Sequence, residues 1–345
     1  LTIGLTVNTT VADPVNPADP ADVAAARRSQ TLINDVFISP VLRGAYPEEA
    51  VAAFAPAGTA LPALAGVPSV VTDIPPVQSL VAQVMGDLGS PVLLLANGAD
   101  EHDFQLRPSQ AGQVADAALV VWIGPELTPW LETALKNRPE GAAALALLDA
   151  VGTVKIGYGE ADAHDNGHEH DHGAYDPHAW LDPDNAKVWL GLIAAELSRI
   201  DPDNAATYAV NAANATAGVQ ALDADLSARL APVKDRAFVT FHDAYGYFTA
   251  HYGLASAGSI ALGDAADPGA ARLSEIRETL EAGSVACIFP EVQHDPALVV
   301  QVADGTGAVI GGALDPVGSS LEPGAGAYAA LLTGIAETLV GCKAP

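Results

Sequence analysis

From residue 66 onward the chain alternates short, continuously apolar runs with stretches whose apolar residues recur every three or four positions. The runs at 69–73 (SVVTD), 91–96 (PVLLLA) and 119–123 (LVVWI) read as strands. Segments 77–88, 108–117 and 126–136 read as helices, the first with Val77, Leu80, Val81 and Val84 on one face. A strand that is apolar on both faces has to be covered on both, and intervening helices are the connections that parallel pairing requires. The alternation restarts with strands at 237–241 (AFVTF), 259–262, 285–289 and 308–310, and helices at 243–251, 268–282, 296–303 and 324–339. The expected fold class is therefore α/β, with two open lobes on parallel sheets over 66–201 and 231–345.

The segment between the lobes reads as one helix over 202–230. Asp201-Pro202 offers an N-cap followed by proline at the first helical position, as Asp182-Pro183 does for an earlier helix. At 1.5 Å per residue such a helix spans about 43 Å, enough to cross a domain. Val219, Leu222, Leu226 and Leu230 mark a buried stripe, so the helix is expected to join the lobes as a spine.

Charge narrows the partners. Against 42 acidic residues stand 15 basic ones, for a formal net charge of −27. Nucleic-acid binding needs clustered lysine and arginine, so it is excluded as a role. No apolar run reaches the roughly 18 residues of a membrane-spanning helix.

Histidine is concentrated instead. Five of the nine histidines fall within 163–183 (AHDNGHEHDHGAYDPHAWLDP). His164, His168, His170 and His172 lie among Asp, Glu, Asn and Gly in a loop, 163–174, whose composition packs no core. His178 is different, because it precedes the capped helix start at Asp182. His102 follows the 91–96 strand, His242 follows AFVTF directly, and Asp315 follows the 308–310 strand. Ligands of open α/β folds collect beyond the carboxyl ends of strands, which is where these four residues converge. Three imidazoles and one carboxylate form a tetrahedral set suited to Zn²⁺, whereas Mn²⁺ favours more oxygen. Four protein ligands fill the shell, so the pattern favours carrying a metal over zinc-dependent hydrolysis. Binding to neutral imidazole is expected to weaken below the histidine reference pKa of about 6.5. His251 and His294 read as surface histidines.

The segments GADEHDFQLRPSQ, DPHAWLDPDNA, DPDNAATYAVNAA, TFHDAYGYF and GGALDPVG, in that order, resemble the signatures of ZnuA/TroA-type substrate-binding proteins of zinc and manganese ABC importers. The resemblance covers 66–345. It implies two α/β lobes joined by one long helix, with metal in the cleft between them. It carries the ligand roles onto His102, His178, His242 and Asp315, with Glu101 as a supporting or competing oxygen. Manganese members usually have Glu where this chain has His242, which favours Zn(II) as the transported ligand, with Mn(II) or Fe(II) as the alternative. The implied protein is a periplasmic or otherwise extracytoplasmic monomer that delivers metal to an ABC permease. Its histidine-rich loop would capture zinc or receive it from a periplasmic chaperone. Cys287 and Cys342 sit in no CxxC and allow either two buried thiols or one bridge; the resemblance implies a disulfide bracing the second lobe.

Residues 1–65 read differently. A strand at 1–10 and a helix at 27–34 precede Phe37, Pro40, Gly44, Tyr46 and Pro47, which resemble the FxxPxxxGxYP segment of family 1 β-glucosidases. That segment contains neither catalytic carboxylate of the family, so no catalytic residue is carried over. Ala63 and Ala65 flank Leu64 in the A-x-A form of a signal-peptidase site after an alanine-rich apolar stretch, which reads as a signal-peptide remnant with an ordinary Ala/Pro linker as the alternative, and 1–65 is expected to lie outside the functional fold.

Overall fold

The computed structural model describes residues 66–95, 98, 99, 101, 104–157, 175–261 and 268–343. The elements expected within 1–65, the histidine-rich loop and His102 lie outside them. Residues 66–345 form one compact unit, distinct from 1–65.

The first lobe runs β1 (Val70–Thr72), α1 (Pro75–Met85), β2 (Val92–Leu93), α2 (Pro108–Asp116), β3 (Leu119–Trp122), α3 (Pro129–Lys136) and β4 (Ala143–Ala146). Its four strands pair in parallel in the order β2-β1-β3-β4. β1 and β3 are wholly buried, as continuously apolar strands must be. β4 was not anticipated, because it is an edge strand of alanines and leucine whose half-exposed residues carry no β-branched signal. Among the described residues of the run 91–96, Val92 and Leu93 enter the sheet. Buried Asp73 ties the two central strand ends together: its Oδ1 accepts from the Ile74 N–H at 2.8 Å and its Oδ2 from the Ile123 N–H at 2.8 Å.

Two helices follow, α4 (Pro183–Ile200) and α5 (Ala205–Leu230), packed extensively against each other. Asp182 caps α4 as expected, accepting from the Asp184 N–H at 2.8 Å. Asp201 does not cap the long helix. Its carboxylate accepts from Tyr208 Oη and Asn204 Nδ2, and residues Pro202–Asn204 form a 3-10 turn before α5 begins. The 26 residues of α5 span about 39 Å. Val219, Leu226 and Leu230 are buried along it, with Leu222 half-buried.

The second lobe repeats the plan of the first: β5 (Ala237–His242), α6 (Gly246–Tyr252), β6 (Ser256–Ala261), α7 (Ala270–Glu281), β7 (Val285–Ile288), α8 (Ala297–Ala303) and β8 (Val309–Ile310). Its strand order is β6-β5-β7-β8, again all parallel. The last helix, α9 (Ala327–Gly341), packs on α1 and α5. There the Ser79 hydroxyl donates to the Ala325 carbonyl and accepts from the Tyr328 N–H, both at 3.0 Å. The other end of α9 is tied to β7 by a disulfide, Cys287–Cys342, with Cα atoms 6.5 Å apart. In consequence one buried cluster contains Val70 and Leu80 of the first lobe together with Cys287, Phe289 and Leu339. The lobes therefore share a core rather than hanging from a loose linker.

Candidate metal centre

In both sheets the chain leaves the first strand to one side and returns on the other, so a crevice opens beyond the carboxyl ends of the two central strands. In the second lobe those strands are β5 and β7. His242 is the last residue of β5, and Glu291 follows β7, where an isolated bridge to Leu314 carries the edge onward. His178 arrives from the other lobe, immediately before a 3-10 turn over Ala179–Leu181. Trp180 in that turn donates its indole N–H to the Pro316 carbonyl at 2.8 Å, and Tyr328 Oη donates to the Trp180 carbonyl at 2.9 Å. These bonds pin the His178 backbone to the second lobe beside Asp315.

His178 and His242 meet across the cleft. Both are buried, and their Nε2 atoms are 3.5 Å apart. Two nitrogens bonded to one tetrahedral zinc at 2.0–2.1 Å lie about 3.3 Å apart, so the pair already stands near chelating distance. The opposite ring nitrogens are committed to carboxylates. His178 Nδ1 lies 2.8 Å from Asp176 Oδ1, and His242 Nδ1 lies 2.5 Å from Glu291 Oε2. A carboxylate at Nδ1 holds the proton there, leaving Nε2 as the basic nitrogen, and this is the arrangement that orients metal-binding imidazoles.

Glu291 is held in turn by Tyr245, whose hydroxyl donates to Oε1 at 3.1 Å. Burial, followed by the charge of Glu291, raises the Tyr245 hydroxyl well above its usual range, so it remains a donor. Asp315 also lies at this edge, but its oxygens already receive five donors. Gln293 Nε2 and the Gly318 and Ser319 N–H groups reach Oδ1, and the Ser320 N–H and hydroxyl reach Oδ2. A carboxylate offers about four lone-pair positions, so Asp315 would have to give up a donor to take a metal. Of the four expected ligands, the structure thus brings His178 and His242 together and shows Asp315 engaged in its own turn. His102 lies outside the described residues, although its neighbour Glu101 is buried with its carbonyl accepting from Trp130 Nε1 at 2.9 Å.

Two histidines expected at the surface are not simple surface groups. His251 bridges Asp182, 2.9 Å from Nδ1, and Asp223, 2.8 Å from Nε2, joining α6 to α4 and α5. His294 stacks on Phe241, with ring centroids 4.3 Å apart, and its Nε2 lies 3.8 Å from Glu291 Oε2. Sequence reasoning also passed over Glu291 and Asp176. Asp176 was readable as the acid two positions before His178 in DPHAW, whereas Glu291 has no local signal and becomes visible only when β7 is laid beside β5.

Two parallel-sheet α/β lobes around a long helix, with facing imidazoles from each lobe in the cleft, define a two-lobed substrate-binding protein of the metal-ion type. The family model of the zinc-uptake complex component A, periplasmic (ZnuA), matches residues 70–342, and the chain belongs to that family. The high-affinity zinc uptake system protein ZnuA of Paracoccus denitrificans (strain Pd 1222) is 48% identical over 326 residues, covering 86% of this chain and 98% of the relative. The protein of the same name from Brucella abortus (strain 2308) is 37% identical over 304 residues, covering 79% and 91%. Among solved structures, a ZnuA deletion mutant with zinc bound superposes with a TM-score of 0.67 at 26% identity, over 81% of this chain and 99% of that one. A glycosyl hydrolase family 1 model matches residues 1–67, the segment whose resemblance to that family carries no catalytic residue.

Proposed function

We infer that this chain captures Zn(II) outside the cytoplasm and delivers it to the permease of an ABC importer. The observation that carries this reading is the pair of buried imidazoles from opposite lobes, Nε2 to Nε2 at 3.5 Å, each with a carboxylate at Nδ1. His102 and Asp315 complete the ligand set, and the zinc-uptake relatives support zinc as the transported ion. The periplasm is the site of action, in keeping with the family and with the absence, among the described residues, of any helix long and apolar enough to span a membrane. The protein acts as a monomer, as a carrier and not as an enzyme.

His164, His168, His170 and His172 form an accessory that gathers zinc, or accepts it from a periplasmic chaperone, and passes it to the centre. The stem of this loop rests on the second lobe. Tyr247 Oη donates to the Asp176 carbonyl at 2.9 Å and accepts from the Ile156 N–H at 3.0 Å, and the Asp176 N–H donates to the Ile156 carbonyl at 2.8 Å. Tyr247 thus holds the residue that orients His178. Competition of Zn(II) with Mn(II) on the purified full chain tests the main reading: zinc should displace manganese at equimolar concentration, and preferential manganese retention would reject zinc as cargo. Deleting 164–172 should lower total zinc stoichiometry while leaving one tight site.

A further inference from the structure

Nε2 of His242 looks toward His178, and the same ring also borders a second cluster. A ring nitrogen of His242, a carboxylate oxygen of Glu291 and a ring nitrogen of His294 are ligand-type atoms that all lie within 4.8 Å of one another, and the His242 nitrogen bonded to Glu291 is Nδ1. Glu291 is fully buried at its side chain, whereas His294 is 30% exposed. The His294 ring is not adrift, because it stacks on Phe241 with an interplanar angle of 20°. The same turn contains Gln293, whose Oε1 is buried and without a hydrogen-bond partner among the described residues while its Nε2 donates to Asp315.

We propose that His242, Glu291 and His294 form an outer station for a divalent ion of the zinc type, which shares His242 with the interlobe centre. Two imidazoles and a carboxylate are a zinc-type donor set, and three protein ligands leave a fourth position open for water or an exchanging group. This is the coordination of a transit site and not of a closed store. A neutral imidazole has one lone pair, so His242 serves one station at a time. With the outer station filled, its proton sits on Nε2. When the ion is held inside on Nε2, the proton sits on Nδ1 and is donated to Glu291. Glu291 thus alternates between metal ligand and hydrogen-bond acceptor, and His294, the most exposed of the three, provides the entrance or exit. The ion moves inward by changing the ring nitrogen of one side chain: the Nε2 proton is released to water as Nδ1 takes one up from water, so the transfer has no net proton change.

The inference rests on the reading that His242 belongs to the interlobe centre, and one set of crystals separates the two. The full chain is crystallised with one equivalent of Zn(II), and anomalous differences are measured at the zinc edge for wild type, His178→Ala and His178→Ala/His294→Phe. Phenylalanine keeps the stack on Phe241, so the second variant retains the local packing. Wild type should hold the ion against His178 and His242. His178→Ala should show a peak about 2.1 Å from His294 Nε2, and the double variant should lose it. A wild-type crystal without an ion at His178 and His242 overturns the interlobe centre itself. An ion there in wild type, with no peak at His294 in His178→Ala or with a peak that survives His294→Phe, overturns the outer station alone.

Discussion

Asp176 Oδ1 accepts both the His178 backbone N–H at 2.9 Å and the proton of His178 Nδ1 at 2.8 Å, so one carboxylate oxygen sets the backbone and the ring of the same residue. Removing such a partner from a metal-binding imidazole typically costs 10–100-fold in metal affinity. Asp176→Asn should therefore weaken zinc binding by about that factor in a chelator-competition titration. Unchanged affinity would mean that the tautomer of His178 is fixed by something else.

Glu291→Gln is the corresponding change in the second lobe. It retains the shape but leaves one acceptor oxygen where Tyr245 and the His242 ring now use two, and it removes the charge that draws the Nδ1 proton. A loss of about 10–100-fold in zinc affinity is expected. The variant should keep the far-ultraviolet circular dichroism of wild type, because Glu291 lies beyond the end of β7.

Glu291 also marks where the sequence stops being legible. The alternation of buried strands and helices foretold both parallel sheets and the long helix, because covering a doubly apolar strand leaves few other solutions. Edge strand β4 was lost because alanine carries little strand signal, and the cap of the long helix was misassigned because Asp201 is claimed by Tyr208 and Asn204. At the site, His178 and His242 were readable from their positions at element ends. Glu291, 49 residues beyond His242, becomes its neighbour only through strand pairing, which no local pattern records. Likewise, the burial of His251 between Asp182 and Asp223 is created by three helices meeting, and its own helix gives no hint of it.

His251 predicts a pH dependence of stability. Its hydrogen bond to Asp182, aided by the bond to Asp223 and opposed by burial, raises its pKa from 6.5 to about 9. A pKa raised by folding contributes stability that is complete below the unfolded value and is lost as pH rises through the folded one. Stability should therefore decline between pH 6.5 and about 9, by at most roughly 3 kcal/mol. Urea unfolding across this window checks the decline, and His251→Gln should flatten it. A wild-type slope retained in His251→Gln would assign the effect to other groups.

The Cys287–Cys342 bridge closes a separation of 55 residues between β7 and the end of α9. In the chain-entropy model, a loop of that length is worth about 4 kcal/mol. Cys287→Ser/Cys342→Ser should lower the urea midpoint accordingly, and added reductant should then have no further effect on the variant. Equal midpoints for wild type with and without reductant would show that the bridge contributes nothing to stability.

His242 joins the lobes through the imidazole pair, and the interlobe centre depends most on it. Competitive zinc titration of the full chain against a chromogenic chelator, comparing wild type with His242→Ala, tests it directly. The predicted result is one tight site in wild type and a loss of at least about 100-fold in the affinity of that site in the variant, beyond the effect of removing an outer partner. A tight site of wild-type affinity in His242→Ala would contradict the interlobe centre.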